Sequence, residues 1–397
     1  MLSYEQALNV VLLSAKSFGQ ENIRLEQSLG RVLAEDIFAD RDYPPFNRAS
    51  MDGYAIRFID FENGVKKFKC MQTVFAGQIC RYTLQTGECF KIMTGASVPE
   101  SADAVIRIED TKPVEFANSI YFNFTGVKKF QNIALKGQDS LADTLVLPKG
   151  TRITPQVIGT LSSFGKGKIL LEKLPRVTII STGDEIVGVD EPVSDVTIRN
   201  SNQYVLRALL LAFKIEKIKL KRSKDIKTQL RNKLKKAVSE SDILLMSGGV
   251  SAGDADFVPE ILEEVGVKKI FHKINIRPGK PIWFGQKLGG CTVFALPGNP
   301  LSCQTTFKIF VEPFLMKCFG SIPPEAFQFP MAEQRTKKTA LDEFFPVVLH
   351  SSPMQAHLKK FNGSGDITAG LFAEGMAWQR YDKTILEKGD SVSVFLF

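Results

Sequence analysis

A turn rich in glycine, serine and aspartate occupies residues 246–257, MSGGVSAGDADF, directly after the apolar run DILLM. The backbone N–H groups of a glycine-rich turn that follows a strand can approach phosphate closely, because no side chains stand in the way. Asp254 and Asp256, however, carry the same sign of charge as phosphate. The turn therefore predicts an anion site whose acids either point elsewhere or face the anion across a bound cation.

A second acidic turn, STGDEI, puts Asp184 and Glu185 directly after the apolar run 177–181, VTIIS. Acids in this position could cap a helix and match its dipole. They could also hold Mg²⁺, a hard cation that prefers carboxylate and phosphate oxygens and keeps several waters. We expect Asp242, Asp254 and Asp256 to join them at one edge of a sheet, where five carboxylates would need a cation between them.

Two further turns could meet an anionic ligand. In RPGKP, residues 277–281, Arg277 and Lys280 flank a constrained Pro-Gly pair and could bind a phosphate or another oxyanion. An ordinary solvent-exposed turn is the alternative. In PGNP, residues 297–300, the prolines indicate a stiff connection from strand to helix, with Asn299 or Ser302 as a helix cap.

The N-terminal half carries two more polar motifs. In PPFNRASMDGYA, residues 44–55, the prolines fix the approach and Gly53 lets Asp52 project from a tight turn. In KIMTGASVPESADAVIRIED, residues 91–110, Thr94 precedes a glycine turn before a strand resumes. Ordinary hairpin chemistry is the alternative for both motifs.

The elements around these turns alternate between strand and helix from about residue 175 onwards. Strands are predicted at VTIIS, IEKIKL, DILLM and TVFAL, and helices at SNQYVLRALLLAF, at 223–238 and from PGNP to about Cys318. This alternation predicts a doubly wound, mostly parallel α/β sheet with helices on both faces. Ligands of such sheets bind outside the carboxyl ends of the strands, where three of the polar turns fall.

The flanking segments differ in pattern, and the chain is predicted to form four parts. Residues 1–44 and 137–170 form a linking domain, and 45–136 form a β-rich domain. Residues 171–320 form the α/β domain, and 323–397, after a proline-marked linker, form a small C-terminal β-barrel or sheet. The N-terminus predicts an amphipathic helix rather than a signal peptide, because Glu5, Gln6 and Lys16 interrupt its apolar run.

Composition narrows the class of protein. The net charge of +8 reflects in part a lysine-rich stretch at 203–240, where apolar residues recur every four positions. A solvated helix face explains this stretch better than a nucleic-acid site, since aromatic residues are not interleaved. Six cysteines without C-x-x-C spacing and only three histidines favour reduced thiols over zinc ligands or disulfides. No run of about 18 apolar residues occurs, so we expect a cytoplasmic protein without a membrane contact.

Taken together, these motifs resemble those of the molybdopterin molybdenumtransferase family, the MoeA proteins of bacteria and the E domain of gephyrin. LGRVLAEDI at 29–37, PPFNRASMDGYA, MTGASVPESADAV, STGDEI, SGGVSAGDADF, RPGKP and LPGNPLS occur in the family's order. The resemblance spans roughly residues 5 to 390. It implies an elongated, four-part subunit that forms a homodimer, with the linking domain of residues 1–44 and 137–170 also serving dimerisation. Each active site would form where one subunit's α/β domain meets the other subunit's N-terminal region.

The resemblance also implies a reaction, in which molybdate enters the dithiolene of adenylated molybdopterin and AMP is released. Carried over by motif position, the catalytic residues would be Asp52, Thr94, Glu185, Asp242, Asp256 and Lys280. The metal, Mg²⁺ or a similar divalent cation, would be held by Asp184, Glu185, Asp242 and Asp256. Substrate contacts would come from Asp139, Ser181, Thr182, Gly183, Ser247, Gly248, Gly249, Ser251, Arg277, Pro297, Gly298, Asn299, Pro300 and Ser364.

Some positions depart from the family's pattern. Met246 stands where many relatives have threonine, which predicts that a hydroxyl contact is missing. RNSNQY at 199–204 only partly matches the family's segment on the pterin side. An arginine that some relatives use in the C-terminal domain is not apparent, and Lys359 and Lys360 stand in its place.

Two alternatives to the insertion reaction remain. A molybdopterin adenylyltransferase shares the α/β module but would need only about residues 171–320. A non-catalytic scaffold, as gephyrin is at synapses, would not need the acids and Lys280. Further partners implied are the upstream adenylyltransferase and chaperones specific to molybdoenzymes, and no nucleic acid.

Overall fold

The computed structural model describes residues 1–114, 119–122, 126–250, 257–323 and 325–397. The chain forms two compact units, a larger one of Met1–Glu35 with Lys149–Phe397 and a smaller one of Asp36–Pro148. The four predicted domain boundaries are finer than this division and stay a prediction. None of the helices in the described ranges combines the length and the apolar character needed to cross a bilayer.

The larger unit begins with helix α1, Tyr4–Leu13, and strand β1, Gln20–Arg24. The helix starts at a capping box. The Gln6 N–H donates to the Ser3 hydroxyl at 3.2 Å, and the Ser3 N–H donates to the Gln6 side chain at 3.0 Å. Its buried face, which includes Ala7 and Val11, packs into the core of the larger unit. The predicted N-terminal amphipathic helix is therefore confirmed.

The smaller unit is rich in strands, as predicted for the β-rich part of the chain. It contains the short helix α2, Phe58–Glu62, and the strands β2 Ile37–Phe38, β3 Arg48–Ala49, β4 Gly53–Ile56, β5 Lys67–Val74, β6 Glu88–Ile92, β7 Ala104–Arg107, β8 Thr111–Val114, β9 Ser119–Phe122, β10 Ile133–Ala134 and β11 Leu145–Leu147. The main sheet has the order β7-β4-β6-β5-β9-β8. Its β5–β6 pair is parallel and the other neighbours are antiparallel.

Gly53 is required for a different structural reason from the predicted one. A Cβ atom at this position would lie 1.9 Å from the Ile106 carbonyl oxygen on the neighbouring strand. Glycine is needed here because β4 and β7 approach closely, with Gly53 opposite Arg107. Conformational freedom in a turn, the predicted reason, does not explain this residue.

The α/β part of the larger unit contains the helices α3 Pro155–Ser163, α4 Asn202–Ala212, α5 Lys227–Glu240, α6 Val258–Glu264, α7 Pro300–Thr306 and α8 Glu312–Cys318. Its strands are β12 Lys168–Glu172, β13 Val177–Thr182, β14 Ile186–Val187, β15 Ile198–Arg199, β16 Ile218–Ser223, β17 Ile243–Ser247, β18 Val267–His272, β19 Ile276–Arg277, β20 Trp283–Lys287 and β21 Thr292–Leu296. A π-helical turn, Phe307–Val311, joins α7 to α8. β12 pairs with β1 antiparallel.

The central sheet has the order β16-β13-β17-β21-β20-β18. Its first four strands are parallel, and β20 runs antiparallel to both of its neighbours. Every residue of β13, β17 and β21 is buried because both faces of the sheet are covered. The predicted mostly parallel sheet is confirmed.

Helices cover the two faces in pairs. On one face, Leu206 of α4 and Leu301 of α7 share a core with Leu245 of β17. On the other face, Leu234 of α5 and Ile261 of α6 share a core with alternate residues of the same strands. The lysines of α5 therefore lie away from its buried leucines, as predicted for a solvated helix face.

The C-terminal part is a small barrel, as predicted. Its strands are β22 Phe327–Pro330, β23 Arg335–Thr336, β24 Asp342–Ser351, β25 Met354–Leu358, β26 Gly375–Gln379, β27 Ile385–Leu386 and β28 Ser391–Leu396. The chain of neighbours runs β25-β24-β26-β28-β22. A bridge from Met331, just after β22, to Ala356 of β25 closes the ring. Met331, Val347 and Val394 pack in its interior.

Candidate active site

Four parallel strands, β13, β16, β17 and β21, end at the same edge of the central sheet. The turns at 181–185 and 297–300 and the start of the glycine turn at 247–250 all follow these ends, which confirms their predicted convergence. The remainder of the glycine turn, with the predicted site residues Ser251, Asp254 and Asp256, lies outside the described residues.

The acidic side of this edge is built around Thr182, Asp184 and Asp225. The Asp184 carboxylate accepts the backbone N–H of Asp225 at 3.2 Å, and the Asp225 carboxylate accepts the Thr182 hydroxyl. The Glu185 carboxylate lies over Gly183, where a Cβ atom would come within 2.7 Å of its oxygens. Asp184 and Glu185 are exposed, so both carboxylates are available to a ligand.

Asp225 was missed by the sequence reasoning. It follows the end of β16 by two residues, and β16 lies beside β13 in the sheet. Residues that follow parallel strands share one edge of the sheet, so the position of Asp225 after β16 is a sequence signal of the same kind as that of Asp184 after β13.

Asp242 does not belong to this edge, and the prediction that it joins Asp184 and Glu185 is wrong. It precedes β17, so it lies at the amino end of the parallel strands. Its carboxylate accepts bonds from Arg176, which precedes β13, through the backbone N–H at 2.7 Å and the guanidinium at 3.0 and 3.2 Å. Burial alone would raise the pKa of Asp242, but these bonds from Arg176 outweigh it and lower that pKa.

Without Asp242, the predicted set of metal ligands is smaller. In the described part of the chain, no three His, Cys, Asp or Glu side chains converge closely enough to form a protein-only metal cage. The exposed carboxylates of Asp184 and Glu185 nevertheless match the chemistry of Mg²⁺, which typically takes one or two carboxylates, substrate phosphate oxygens and waters. The donor set at this edge therefore fits a cation shared with a phosphorylated ligand.

The glycine turn is held tightly against the neighbouring strand. Gly248 has φ +95°, and a Cβ atom there would lie 2.6 Å from the Thr182 carbonyl oxygen, so no other residue fits without a shift. The Gly248 N–H already donates to the Leu296 carbonyl at 3.2 Å. Any anion bound by this turn would thus use other N–H groups than that of Gly248.

The segment 200–202 ties three strand ends together. The Ser181 hydroxyl donates to the Asn200 side chain at 3.1 Å. The Asn202 amide donates to the Ser247 hydroxyl at 2.7 Å and to the Gly298 carbonyl at 2.6 Å. Both asparagines are buried. They belong to the segment RNSNQY, for which the sequence predicted no role of the individual asparagines.

These bonds change the interpretation of the serine and threonine residues at the edge. Ser181, Thr182 and Ser247 expose only 2 to 4% of their surface, and each hydroxyl has a partner within the protein. Their hydroxyls hold the strand ends in position rather than facing a substrate. Met246 is fully buried beneath the second helix pair, so a threonine hydroxyl there would not have reached the edge either.

A cation-rich cavity of about 590 Å³ lies between the α/β part and the C-terminal part of the larger unit. Its lining includes four of the predicted substrate-binding residues together with the predicted catalytic lysine, namely Arg277, Pro297, Asn299, Ser364 and Lys280. Two other residues predicted to bind substrate, Gly298 and Pro300, lie in the same turn, Gly298 with its carbonyl bound to Asn202 and Pro300 as the first residue of α7.

The C-terminal part contributes further cations, Arg335, Lys337 and Lys338, which the sequence reasoning missed. Lys359 and Lys360, the predicted replacements for the family's arginine, line a different cavity of about 390 Å³. Their correspondence to that arginine stays a prediction. No local signal marks residues 335–338, because only the packing of the barrel brings them to RPGKP.

The cationic side chains that line the larger cavity differ in whether protein groups already bind them. Arg335 pairs with Glu343 at 2.7 Å and stacks on Phe345. Lys337 is 4% exposed, donates to the Leu341 carbonyl at 3.0 Å, and has its pKa lowered by burial.

Three other cations of this cavity remain unmatched. Within the described ranges, no acidic group lies within 4.0 Å of Arg277, Lys280 or Lys338. These three charges are available to an anion.

Ser364 is fixed to the PGNP turn. The Asn299 amide donates to the Ser364 hydroxyl at 2.9 Å, and the Leu301 N–H donates to the Ser364 carbonyl at 3.1 Å. Asn299 occupies the N-cap position of α7 but makes no side-chain cap bond, and Ser302 lies inside that helix. The predicted capping role of these two residues is wrong, because the Asn299 side chain turns towards Ser364.

In the smaller unit, Asp52 and Thr94 lie together. The Asp52 carboxylate accepts the Thr94 N–H at 2.7 Å and the Thr94 hydroxyl at 2.8 Å. These two bonds lower the pKa of Asp52. Asp139 is exposed and donates its N–H to the Tyr43 carbonyl at 2.8 Å. Among the described residues, it makes no hydrogen bond to Asp52 or Thr94.

Comparison with known proteins covers almost the whole chain. Residues 2–165 match the family described as MoeA N-terminal region (domain I and II), and residues 178–317 match the probable molybdopterin binding domain. The molybdopterin molybdenumtransferase of Staphylococcus epidermidis is 32% identical over 406 residues, which cover 100% of this chain and 95% of that protein. The enzyme of the same name from Staphylococcus aureus strain MSSA476 is 32% identical, with coverage of 99% and 94%.

Solved structures agree with these relatives. The molybdopterin biosynthesis MoeA protein of Pyrococcus horikoshii OT3 superposes with a TM-score of 0.86 at 29% identity and covers 100% of both chains. A second MoeA structure from Pyrococcus gives a TM-score of 0.79 at 32% identity, covering 100% of this chain and 99% of the other. The α/β edge, the closed C-terminal barrel and the β-rich unit define a MoeA-type multidomain protein. The chain belongs to the molybdopterin molybdenumtransferase family.

Proposed function

We propose that this protein inserts molybdenum, supplied as molybdate, into adenylated molybdopterin and releases AMP. As a member of its family, the chain is an enzyme of molybdenum cofactor biosynthesis. The observation that carries the proposal is that two neighbouring residues of one turn, Gly298 and Asn299, belong to two different candidate binding sites. Gly298 is bound at the acidic sheet edge through Asn202, and Asn299 lines the cation-rich cavity. One turn thus joins a site suited to a metal-bound phosphate with a site suited to an oxyanion.

At the acidic edge, Asp184 and Glu185 are proposed to hold Mg²⁺ together with Asp256. Asp225 positions Asp184 by its backbone N–H and is itself bound to Thr182. When bound, Mg²⁺ would offset the negative charge of the substrate phosphates. The carboxylates keep that cation at the carboxyl ends of the strands, where ligands of such sheets bind.

In the cavity, Lys280 and Arg277 are proposed to bind the oxyanion, which is either molybdate or the phosphate of the departing AMP. Both are unmatched by acids among the described residues, so their charge is not already neutralised. Hydrogen bonds between ionised partners are the strong ones, which favours these two side chains over neutral donors. The Ser364 hydroxyl, oriented by Asn299, is proposed as a further donor.

Roles for Asp52, Thr94 and Asp139 in the same reaction stay predictions, which rest on the family resemblance. We propose a cytoplasmic homodimer in which Asp52 and Thr94 serve an active site together with the α/β edge. Mixing Asp52→Asn protein with Glu185→Gln protein tests this. If the two residues act across subunits, mixed dimers regain activity at one site, whereas no recovery is expected if each subunit works alone.

The alternative of molybdopterin adenylation is not favoured, because the match to molybdenumtransferases extends over the β-rich unit and the barrel as well. The two reactions differ in product. Purified protein would receive adenylated molybdopterin, Mg²⁺ and molybdate, and AMP and metallated cofactor would be measured. Absence of AMP, or release of pyrophosphate from molybdopterin and Mg-ATP, would sink the insertion proposal.

Matched variants sharpen this experiment. Glu185→Gln and Lys280→Gln should each lower AMP release, while Lys360→Gln, which changes a lysine of the neighbouring cavity, should leave it unchanged. An Mg²⁺ titration after chelation with EDTA should show that Glu185→Gln needs more Mg²⁺ than the native protein. Equal Mg²⁺ dependence of both proteins would remove Glu185 from the proposed metal site.

A further inference from the structure

Two cysteines of the smaller unit face each other across neighbouring strands. Cys70 of β5 lies directly opposite Cys89 of β6 in the parallel register. Adjacent strands lie about 4.8 Å apart, and disulfides join Cα atoms about 4.4 to 6.8 Å apart. The backbone therefore already has the separation that a disulfide requires.

The side chains of the pair point the same way. Both belong to one apolar cluster with Tyr54, Ile56 and Phe68, in which Cys89 is fully buried and Cys70 is partly exposed. Register partners on neighbouring strands share a face of the sheet, so the two sulfurs lie on the same side. The register shifts by one residue immediately after Cys70, at Met71, and such a bulge bends the strand beside the pair.

The two thiols are chemically unequal. The hydrogen bond from Cys89, aided by the backbone N–H and charge of Lys91, lowers the pKa of Cys70 to about 6. The same bond and burial raise the pKa of Cys89. A reactive thiolate beside a protonated second thiol is the arrangement in which one cysteine attacks and the other resolves.

The other buried cysteines lack these features. Burial raises the pKa of Cys291, Cys303 and Cys318 to about 12 in each case. They are therefore almost entirely protonated at neutral pH and inert towards disulfides. Reactivity should concentrate in the smaller unit.

We propose that Cys70 and Cys89 are a redox-active dithiol whose substrate is a low-molecular-weight disulfide. The Cys70 thiolate attacks one sulfur of the disulfide, its S–S bond breaks, and the first thiolate leaves. The Cys89 thiol gives its proton to that leaving group, and its sulfur attacks Cys70, forming the Cys70–Cys89 bond and expelling the second thiolate. Two cysteine thiols are thereby oxidised and one external disulfide is reduced to two thiols.

The pair lies close to a candidate catalytic residue in the sequence and in the fold. β6 runs from Glu88 to Ile92, and Thr94, which holds Asp52, follows two residues later. A bond at Cys89 would fasten this strand to β5. The dithiol chemistry itself is independent of molybdenum insertion and is tested without it.

The test uses the reduced full-length protein and oxidised glutathione as the probe. After incubation at pH 7, intact mass and peptide mapping should show loss of two hydrogens and a peptide joined through Cys70 and Cys89. Dithiothreitol should reverse the change. A peptide map in which both cysteines remain thiols, or in which the disulfide includes Cys80, would overturn the proposal.

Variants separate the attacking from the resolving thiol. Cys89→Ser should stop at a glutathione adduct on Cys70, Cys70→Ser should yield neither product, and the control Cys80→Ser should behave as the native protein.

A second measurement on the native chain does not depend on the folding of any variant. Limited iodoacetamide should label Cys70 faster than the other cysteines, with a rate that falls as pH drops through about 6. Labelling of Cys80 ahead of Cys70 would contradict the assignment.

Discussion

Thr94 donates two hydrogen bonds to a single oxygen of Asp52, from its backbone N–H at 2.7 Å and from its hydroxyl at 2.8 Å. The residues are separated by 42 positions in the chain, and the Asp52 carboxylate is exposed. An exposed carboxylate held this firmly has one orientation and a lowered pKa. Both properties suit a group that must meet a ligand while ionised.

Thr94→Val removes the hydroxyl bond and keeps the N–H bond and the side-chain shape. We expect AMP release to fall severalfold, because the Asp52 carboxylate loses one of the two hydrogen bonds that orient it. Thr94→Ser, which keeps the hydroxyl, is the matched control and should retain most of the activity. If valine and serine reduce the rate equally, the hydroxyl has no part in positioning Asp52.

The same variant should change how Asp52 titrates. A carboxylate whose pKa is lowered on folding stabilises the protein above its unfolded pKa, and this contribution is lost as pH falls through the folded pKa. In Thr94→Val the Asp52 pKa should rise towards that of an unperturbed aspartate, because one of the bonds that lower it is lost. The stability difference from the native protein should therefore be present at neutral pH and vanish in strong acid. Carboxyl ¹³C shifts followed against pH give the pKa, and a pKa unchanged by the valine would contradict the expectation.

Asp242→Asn should affect stability and leave the chemistry alone. Asp242 pairs with Arg176 at the amino edge of the sheet, away from Asp184 and Glu185. The pair is largely exposed, with 59% of the Arg176 side chain accessible, so its loss should cost only about 1 kcal/mol in urea unfolding. Saturating Mg²⁺ and substrate should give native rates. A large fall in kcat without unfolding would return Asp242 to the active site.

The wrong prediction for Asp242 shows which site residues can be located from the sequence. The runs at 177–181, 243–247 and 292–296 were recognisable because strands buried on both faces are continuously apolar. Once the sheet is parallel, residues after each run share one edge and residues before each run share the other. Asp184 and Asn299 follow their strands, whereas Asp242 precedes its strand, so a parallel sheet places Asp242 at the opposite edge.

The cations of the barrel could not be found in this way. Lys337 and Lys338 lie more than fifty residues after Lys280, with helices and strands of two cores between them. Their meeting depends on how the barrel packs against the α/β part, through shared residues such as Phe344 and Phe307. No periodicity or spacing encodes that contact.

Asn202 supplies the next prediction, because one amide holds two strand ends. Asn202→Ala leaves the Gly298 carbonyl and the Ser247 hydroxyl without this donor in a buried setting, which should destabilise the larger unit by about 2 kcal/mol. Asn202→Asp should cost more, since a carboxylate would face the Gly298 carbonyl oxygen. Urea unfolding measures both, with the exposed Asn63→Ala as control. An aspartate variant as stable as the native protein would show that the amide is not donating these bonds.

Lys280→Gln tests whether the cation-rich cavity binds an oxyanion. Glutamine keeps a donor on a side chain one atom shorter but removes the charge, so the molybdate concentration for half-maximal AMP release should rise roughly tenfold, which corresponds to about 1.4 kcal/mol. Lys360→Gln makes the same chemical change in the neighbouring cavity, which Arg277 and Ser364 do not line, and should leave that concentration unchanged. Because both variants lower the net charge equally, a general electrostatic effect would shift them together. A specific site at Lys280 would raise the half-maximal molybdate concentration of the Lys280 variant alone. Equal increases in both variants would place oxyanion binding outside this cavity.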